Sequence, residues 1–264
     1  MKLGFIGTGK IASSVIVGVC GSKIKYKQIL ISPRNRKIAL SLKKKFKKVI
    51  ISKTNQEIVD KSDWVFLSVT PTVGQKIIKH LKFRSNQKVI SFISTITLSQ
   101  LKKMIKKKID IVRAIPLPPI SLKEGPVPIC PPNKKVKAFF DQLGSTIEIK
   151  NEKLSINFWS TSGMMASYYN ILDTMSVWLS KKGIKKKDAQ KYVTSLFLAL
   201  SKDAVINSNK DLKLLVKESQ TPKGLNEQGL KEMTKKNVYK SVTSTLNTIY
   251  NRLDKKSVRK YLRN

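Results

Sequence analysis

The first dozen residues constrain the chain most. An apolar run, Leu3-Gly4-Phe5-Ile6, leads into Gly7-Thr8-Gly9-Lys10-Ile11-Ala12, which has the form G-x-G-x-x-A. Such a motif carries meaning only where it follows a strand and opens a helix, and Ile11–Gly21 supplies the helical pattern. Gly7 permits the tight turn, and Gly9, without a Cβ, lets the backbone approach a pyrophosphate. Ala12 lets the helix pack close to the strand. The amides of Thr8, Lys10 and Ile11 stand at a helix start that offers unpaired N–H groups to phosphate. The segment therefore predicts a dinucleotide-binding turn.

The rest of the N-terminal half repeats this alternation. Gln28–Ser32, Val49–Ser52, Trp64–Val69, Val89–Ser94 and Ile111–Ile115 are short, β-branched and continuously apolar, as strands buried on both faces are. Helical stretches such as Lys37–Phe46 lie between them, so a parallel, doubly wound α/β sheet of Rossmann type is expected. Prolines at 116, 118, 119, 126, 128, 131 and 132 exclude continuous helix there. Val127–Cys130 and Thr146–Ile149 read as two more strands around a helix at Lys134–Leu143. After Asn151 the strand signal stops, and Ser162–Lys181, Lys185–Ile206, Asp211–Glu218, Gly224–Lys236 and Tyr239–Tyr261 read as helices. Two domains are expected: a dinucleotide-binding domain over 1–150 and an all-helical domain over 151–264.

The end of the second strand bears on which dinucleotide is bound. An acid there would suit a ribose 2′-hydroxyl. The chain instead has Ser32-Pro33-Arg34-Asn35-Arg36. Arg34 can fork onto a 2′-phosphate, with Ser32 and Asn35 as further donors, so NADP is the expected cofactor.

Composition excludes several other classes. The 53 Lys and Arg against 16 Asp and Glu leave a net charge of +37. Only seven of the basic residues are Arg, and the excess is spread along the chain rather than gathered in a tail, which points away from nucleic acid as the partner. Cys20 and Cys130 stand apart, with no CxxC and no His beside them, and the single His80 lies in a basic stretch. Neither a disulfide framework nor a metal site is expected, and His80 reads as a surface residue. No apolar run is long enough to span a bilayer and no signal-peptide pattern opens the chain, so a cytosolic protein with no membrane partner is expected.

Several further segments resemble the pyrroline-5-carboxylate reductase family over nearly the whole chain. Leu67-Ser68-Val69-Thr70-Pro71 resembles its "AVKP". Arg113-Ala114-Ile115-Pro116-Leu117-Pro118-Pro119, ending at Gly125, fits "RxMPNxP…G". Ser160-Thr161-Ser162-Gly163 resembles "SGSG", and Thr221-Pro222-Lys223-Gly224-Leu225-Asn226 with Gly229 resembles "SPGGTTxxG". The resemblance implies an NADPH-dependent reduction of a small cyclic imino acid, 1-pyrroline-5-carboxylate to proline. It implies cofactor contacts from Val69, Thr70, Pro71 and Pro116, and substrate contacts from Ser160, Ser162, Lys223, Gly224 and Leu225. Thr221 and Asn226 take the catalytic places in the substrate loop. The helices of such proteins interleave, so a homodimer or larger oligomer is implied. Apolar stripes at Met164, Met165, Ile171, Leu172, Met175 and Trp178, then Tyr192, Phe197, Leu198 and Leu200, agree with that.

The chain departs from the family pattern at Leu117, where Asn is usual, at Lys223, where the first loop Gly stands, and at Leu225, a loop Thr. Thr70 replaces the Lys of "AVKP", and "GPAY" has become Gly163-Met164-Met165-Ala166. Glu218 and Glu227 flank the loop and read as helix-surface residues. Lys223 could offer a positive charge to a carboxylate. Hydride chemistry belongs to the cofactor, so the lack of a His–acid pair is compatible with imine reduction. Two other readings stay open: the same architecture acting on another imine or keto substrate, and a nucleotide-binding protein without turnover.

Overall fold

The computed structural model describes residues 1–254. It divides into two compact units, Met1–Trp159 and Ser160 onward. The first unit is a Rossmann-type α/β layer structure. Its eight strands are β1 (Lys2–Ile6), β2 (Gln28–Ile31), β3 (Val49–Ile51), β4 (Trp64–Leu67), β5 (Lys88–Ser91), β6 (Asp110–Ala114), β7 (Pro126–Cys130) and β8 (Ser145–Glu148). They form one sheet in the order β3-β2-β1-β4-β5-β6-β7-β8. Chain order reverses between β1 and β4, which makes that edge a topological switch point.

All pairings are parallel except β6 with β7, where Arg113 stands opposite Cys130. The expected doubly wound parallel sheet is thus present, with this one antiparallel pair. The link from β6 to β7 holds one 3₁₀ turn, Pro118–Leu122, and no crossover helix, so the chain turns back beside β6 instead of crossing the sheet.

Helices cover both faces, and strand residues alternate between them. Leu3, Phe5, Ile29, Ile31, Phe66, Ile90 and Val112 join one core with α1 (Lys10–Cys20), α2 (Arg36–Lys45) and later α6 (Lys134–Phe140). Phe5 and Phe66 stack there with centroids 4.4 Å apart. Ile6, Leu30, Val65, Leu67, Val89 and Ile111 pack the other face against α3 (Asn55–Lys61) and α5 (Leu98–Ile105). Between them α4 spans Pro71–Ile77. Asn35, Thr54 and Asn133 cap α2, α3 and α6 through their side chains, and Thr97 with Gln100 forms a capping box on α5.

After a 3₁₀ turn at Glu152–Leu154, α7 (Ser155–Ser162) carries the chain across the division between the units. The second unit is all helical: α8 (Met165–Lys181), α9 (Lys186–Ile206), α10 (Leu212–Glu218), α11 (Leu225–Lys235) and α12 (Val238–Leu253). The last helix was expected to run to Tyr261, and 255–261 lie outside the described residues. The short link between α8 and α9 makes them a helical hairpin, with Tyr168 edge-on to Phe197. Much apolar surface of this unit stays exposed, including Trp178 at 58% and Tyr192 at 62%. No helix among the described residues is long and apolar enough to cross a membrane.

Candidate active site

The sheet gathers the expected cofactor residues at one edge, the C-terminal ends of the parallel strands. Gly7 follows β1 with φ +98°, a conformation costly for any residue with a Cβ. A Cβ there would also stand 2.4 Å from the Ser68 carbonyl oxygen beyond β4. Gly7 thus lets the turn after β1 lie against the end of β4. Gly9 is the N-cap of α1, with no side-chain cap on the helix start. A Cβ on Gly9 would meet nothing within 4 Å. Open space therefore adjoins the first turn of α1, where Lys10 and Ile11 sit and where amides lack intrahelical partners. That cradle, which a side chain would fill, fits the pyrophosphate of a dinucleotide.

Thr8 and Ser32 are both buried and tie the turn to β2. Thr8 Oγ1 donates to the Ser32 carbonyl at 2.7 Å, and the Gly7 amide donates to Ser32 Oγ at 3.0 Å. Ser32 Oγ in turn donates to Asn55 Oδ1 at 2.7 Å. The Ser32 hydroxyl is therefore engaged inside the fold, holding the turn. Asn35 Oδ1 accepts the Ile38 amide as the cap of α2. Arg34 is exposed at the mouth of this loop, which contains no acid from Ser32 to Arg36. Its guanidinium is the group there best suited to a 2′-phosphate. Thr70, exposed, is the N-cap of α4, and Pro71 fills its first turn, with Val69 half-buried before it. Pro116 is buried beyond β6.

A buried polar knot that sequence reasoning missed lies beside this edge. Arg113 on β6 is 3% exposed. Its Nη1 donates to Glu152 Oε1 and its Nη2 to the Ser94 carbonyl, both as short contacts. The same Glu152 oxygen accepts the Leu98 amide, at the start of α5, at 2.7 Å. The Arg113 guanidinium also lies over the Trp159 ring, 4.4 Å from its centroid. Burial pushes the Arg113 pKa below its ordinary value, and Glu152 partly offsets this. Arg113 stood out in the sequence only through a motif. Glu152 had no periodicity or motif to mark it.

The loop expected to hold substrate lies in the second unit, between α10 and α11. Gly224 is the N-cap of α11, and a Cβ there would stand 2.2 Å from Thr221 Oγ1. The Gly224 amide donates to the Thr221 carbonyl at 2.8 Å, closing the turn. Lys223 occupies the left-handed region at φ +61°, where the family pattern has Gly. Its amide donates to Glu227 Oε2 at 2.6 Å. Lys231 and then that amide hold the Glu227 carboxyl below the usual range. Asn226 Nδ2 donates to the Ser219 carbonyl at 2.8 Å, tying α11 to the end of α10. Leu225 is 85% exposed. At the other end of this unit, Ser160 is buried and Ser162 half-buried on α7.

A glycine-turn dinucleotide edge followed by an all-helical unit with a tight glycine loop defines the class: a pyridine-nucleotide-dependent oxidoreductase. Residues 2–96 match the family model "NADP oxidoreductase coenzyme F420-dependent". Residues 154–256 match "Pyrroline-5-carboxylate reductase dimerisation". Both halves of the chain are thus similar to what pyrroline-5-carboxylate reductases carry, a nucleotide-binding half and a dimerisation half. It is 22% identical to pyrroline-5-carboxylate reductase 2 of Bacillus subtilis over 241 residues, covering 88% of this chain and 86% of that one. It is 24% identical to pyrroline-5-carboxylate reductase of Vibrio alginolyticus over 233 residues, 84% and 85% of the two chains. The fold superposes on 1-pyrroline-5-carboxylate reductase from Streptococcus pyogenes with a TM-score of 0.80 at 24% identity, covering 96% and 98% of the chains. For the NADP-bound pyrroline carboxylate reductase of Plasmodium falciparum the TM-score is 0.82 at 21% identity, with 96% and 97% covered.

Proposed function

We propose that the protein reduces a small cyclic imino acid with NADPH, converting 1-pyrroline-5-carboxylate to proline. The observation that carries the reading is the pairing of the glycine cradle at Gly7 and Gly9 with a closed Thr221–Asn226 loop on a helical unit of the matching family. NADPH supplies the hydride when bound. In this reading the first turn of α1 holds the pyrophosphate through the amides of Gly9, Lys10 and Ile11. Arg34 and Asn35 hold the 2′-phosphate, while Thr8 and Ser32 fix the turn from inside. Val69, Thr70, Pro71 and Pro116 border the nicotinamide half of the edge. Thr221 and Asn226 hold the loop in shape, and Ser160, Ser162, Lys223, Gly224 and Leu225 contact the imino acid. Orientation of an already electrophilic imine can contribute several kcal/mol, so no dedicated acid–base pair is required.

The protein acts as a homodimer or larger assembly through the helical unit, whose exposed Trp178, Tyr192, Leu198 and Leu200 a second copy would cover. Its expected place is the cytoplasm, with neither membrane nor nucleic acid as partner. A second reading keeps the architecture and changes the substrate to another imine or a keto acid. Leu225, exposed where a loop hydroxyl is usual, and the engaged Lys223 amide favour it. A panel of cyclic and open-chain imino and keto acids, followed by NADPH absorbance, tests both. Turnover of pyrroline-5-carboxylate above the others supports the first reading, and a preferred open-chain or keto substrate supports the second. Tight NADPH binding with no turnover of any member would mean a non-catalytic nucleotide-binding protein.

A further inference from the structure

We propose that Glu152 is a positioning residue for the nicotinamide half of the cofactor, acting through Arg113 on the turn between β5 and α5. The inference rests on the reading of the sheet edge as a pyridine-nucleotide site. In a sheet ordered β3-β2-β1-β4-β5-β6, the dinucleotide crosses the switch point, with one mononucleotide half on each side. The Arg34 loop follows β2, on the adenosine side. The nicotinamide half then lies over the ends of β4, β5 and β6, and the turn Phe92–Thr97 after β5 is part of its floor.

That turn is held at its middle and at its exit by one ion pair. Arg113 Nη2 takes the Ser94 carbonyl within the turn. Glu152 Oε1 takes the Leu98 amide just after it, and the same oxygen takes Arg113 Nη1. The acid comes from 54 residues further along the chain, on the 3₁₀ turn that leads into α7. A bond network of this kind is a poor way to gain stability. Arg113 is buried, its Nε has no partner, and Trp159 Nε1 beside it has none either. Replacing a buried pair of this sort with apolar groups is often neutral or better for stability. What the pair does uniquely is fix the relative places of β6, the β5–α5 turn and the segment entering α7. The contacts of Arg113 and Glu152 run to Ser94, Leu98 and Trp159, away from the Arg34 loop, so the adenosine side should be independent of the clamp.

The test separates the two halves of the cofactor. Glu152→Ala and the milder Glu152→Gln, which keeps an oxygen acceptor, are compared with the unmodified full chain. Affinities are measured for NADPH and for adenosine 2′,5′-bisphosphate, which lacks the nicotinamide half, together with the emission of bound NADPH. Glu152→Ala should weaken NADPH about tenfold, leave the bisphosphate within about twofold, and lose the nicotinamide's bound-state emission change. Glu152→Gln should fall between, with kcat lowered more than the KM for the imino acid is raised. Unchanged NADPH affinity and emission in both variants would overturn the proposal. So would parallel loss of both ligands in a folded Glu152→Gln, which indicates a general structural role. Should Glu152→Ala fail to fold, Glu152→Gln alone decides. An unmodified protein that binds neither ligand would overturn the dinucleotide reading itself and the clamp with it, an outcome distinct from failure of the clamp alone.

Discussion

The two motif glycines should fail in different ways when each becomes alanine. At Gly9 the backbone sits at φ −87°, which alanine adopts freely, and the new Cβ meets nothing within 4 Å. Alanine is a poorer N-cap than glycine by roughly 0.5–1.5 kcal/mol, and the stiffer unfolded chain returns about 0.4–1 kcal/mol of that. Stability should therefore change by less than about 1 kcal/mol. The Cβ would nevertheless occupy the space through which the first turn of α1 reaches a phosphate. Displacing one charge-assisted hydrogen bond costs roughly 1.5–3 kcal/mol, or about ten- to hundredfold in Kd at 1.4 kcal/mol per decade. At Gly7 the balance reverses. The positive φ costs about 1–2 kcal/mol for an L-residue, and a Cβ 2.4 Å from the Ser68 carbonyl adds a clash with backbone that is itself bonded to β1. Overpacking of that kind costs about 1–3 kcal/mol, so Gly7→Ala should lose about 2–5 kcal/mol, a Tm drop of roughly 4–20 °C. Scanning calorimetry and NADPH fluorescence titration read the two effects separately. A Gly9→Ala protein that bound NADPH as tightly as the parent would refute the cradle. A Gly7→Ala protein that melted with the parent would refute the steric account of the turn.

Three other outcomes follow from the same geometry. Arg34→Glu should raise the Kd for NADPH at least tenfold more than that for NADH, and equal use of both cofactors by the parent protein would remove the 2′-phosphate assignment. Lys223→Gly relieves the left-handed backbone at φ +61° and removes one ammonium, so the KM for a carboxylate-bearing imine should rise severalfold with NADPH affinity and Tm nearly unchanged; an unaltered KM would show that the ammonium does not reach the substrate. The hydrogen bond from Lys88 holds the Asp110 carboxyl below its ordinary pKa, so its stabilisation is present above the unfolded value and is lost as pH falls through the lowered folded value. Asp110→Asn should accordingly lower Tm by a few degrees at neutral pH, and melting curves of the two proteins should converge in acid from about pH 4 downward.

Most of the architecture was legible because buried parallel strands announce themselves. Trp64-Val65-Phe66-Leu67 and Gln28-Ile29-Leu30-Ile31 are apolar on both faces, and each strand begins and ends within a few residues of its expected bounds. Illegible features were those decided by partners far away in the chain. The reversal at β7 depends on a proline-rich link too short for a crossover helix, not on anything within Pro126–Cys130 itself. The inward turn of the Ser32 hydroxyl depends on Asn55 and Gly7. Glu152 belongs to a stretch with no repeating pattern, and its importance comes from Arg113 and Leu98, which local sequence cannot announce. The helical unit reads the other way: its apolar stripes are plain in the sequence, yet in one copy of the chain they do not close a core. Val193 and Ala189 are buried in α9, while Leu198, Leu200 and Tyr192 on the same helix face outward.

In the proposed function, the loop of the helical unit limits how an imino acid is recognised. The Lys223 amide is engaged by Glu227 and the Gly224 amide by the Thr221 carbonyl, so neither is open to a substrate carboxylate as the loop stands. Asn226 spends an amide hydrogen on Ser219, and Leu225 contributes no hydroxyl. The donors left at this place are the first-turn amides of α11, the Thr221 hydroxyl and the Lys223 ammonium. Two of these are short and fixed, whereas the ammonium is a charge on a flexible stem. Recognition built from such a set draws more on charge and less on a tight amide cradle. It would therefore bind a carboxylate with less dependence on ring shape, and with more dependence on salt, than a loop carrying two glycines and two threonines. The same substitution that places a lysine in the left-handed conformation thus points to a broader choice of imine at this site, with the cofactor edge still setting the chemistry.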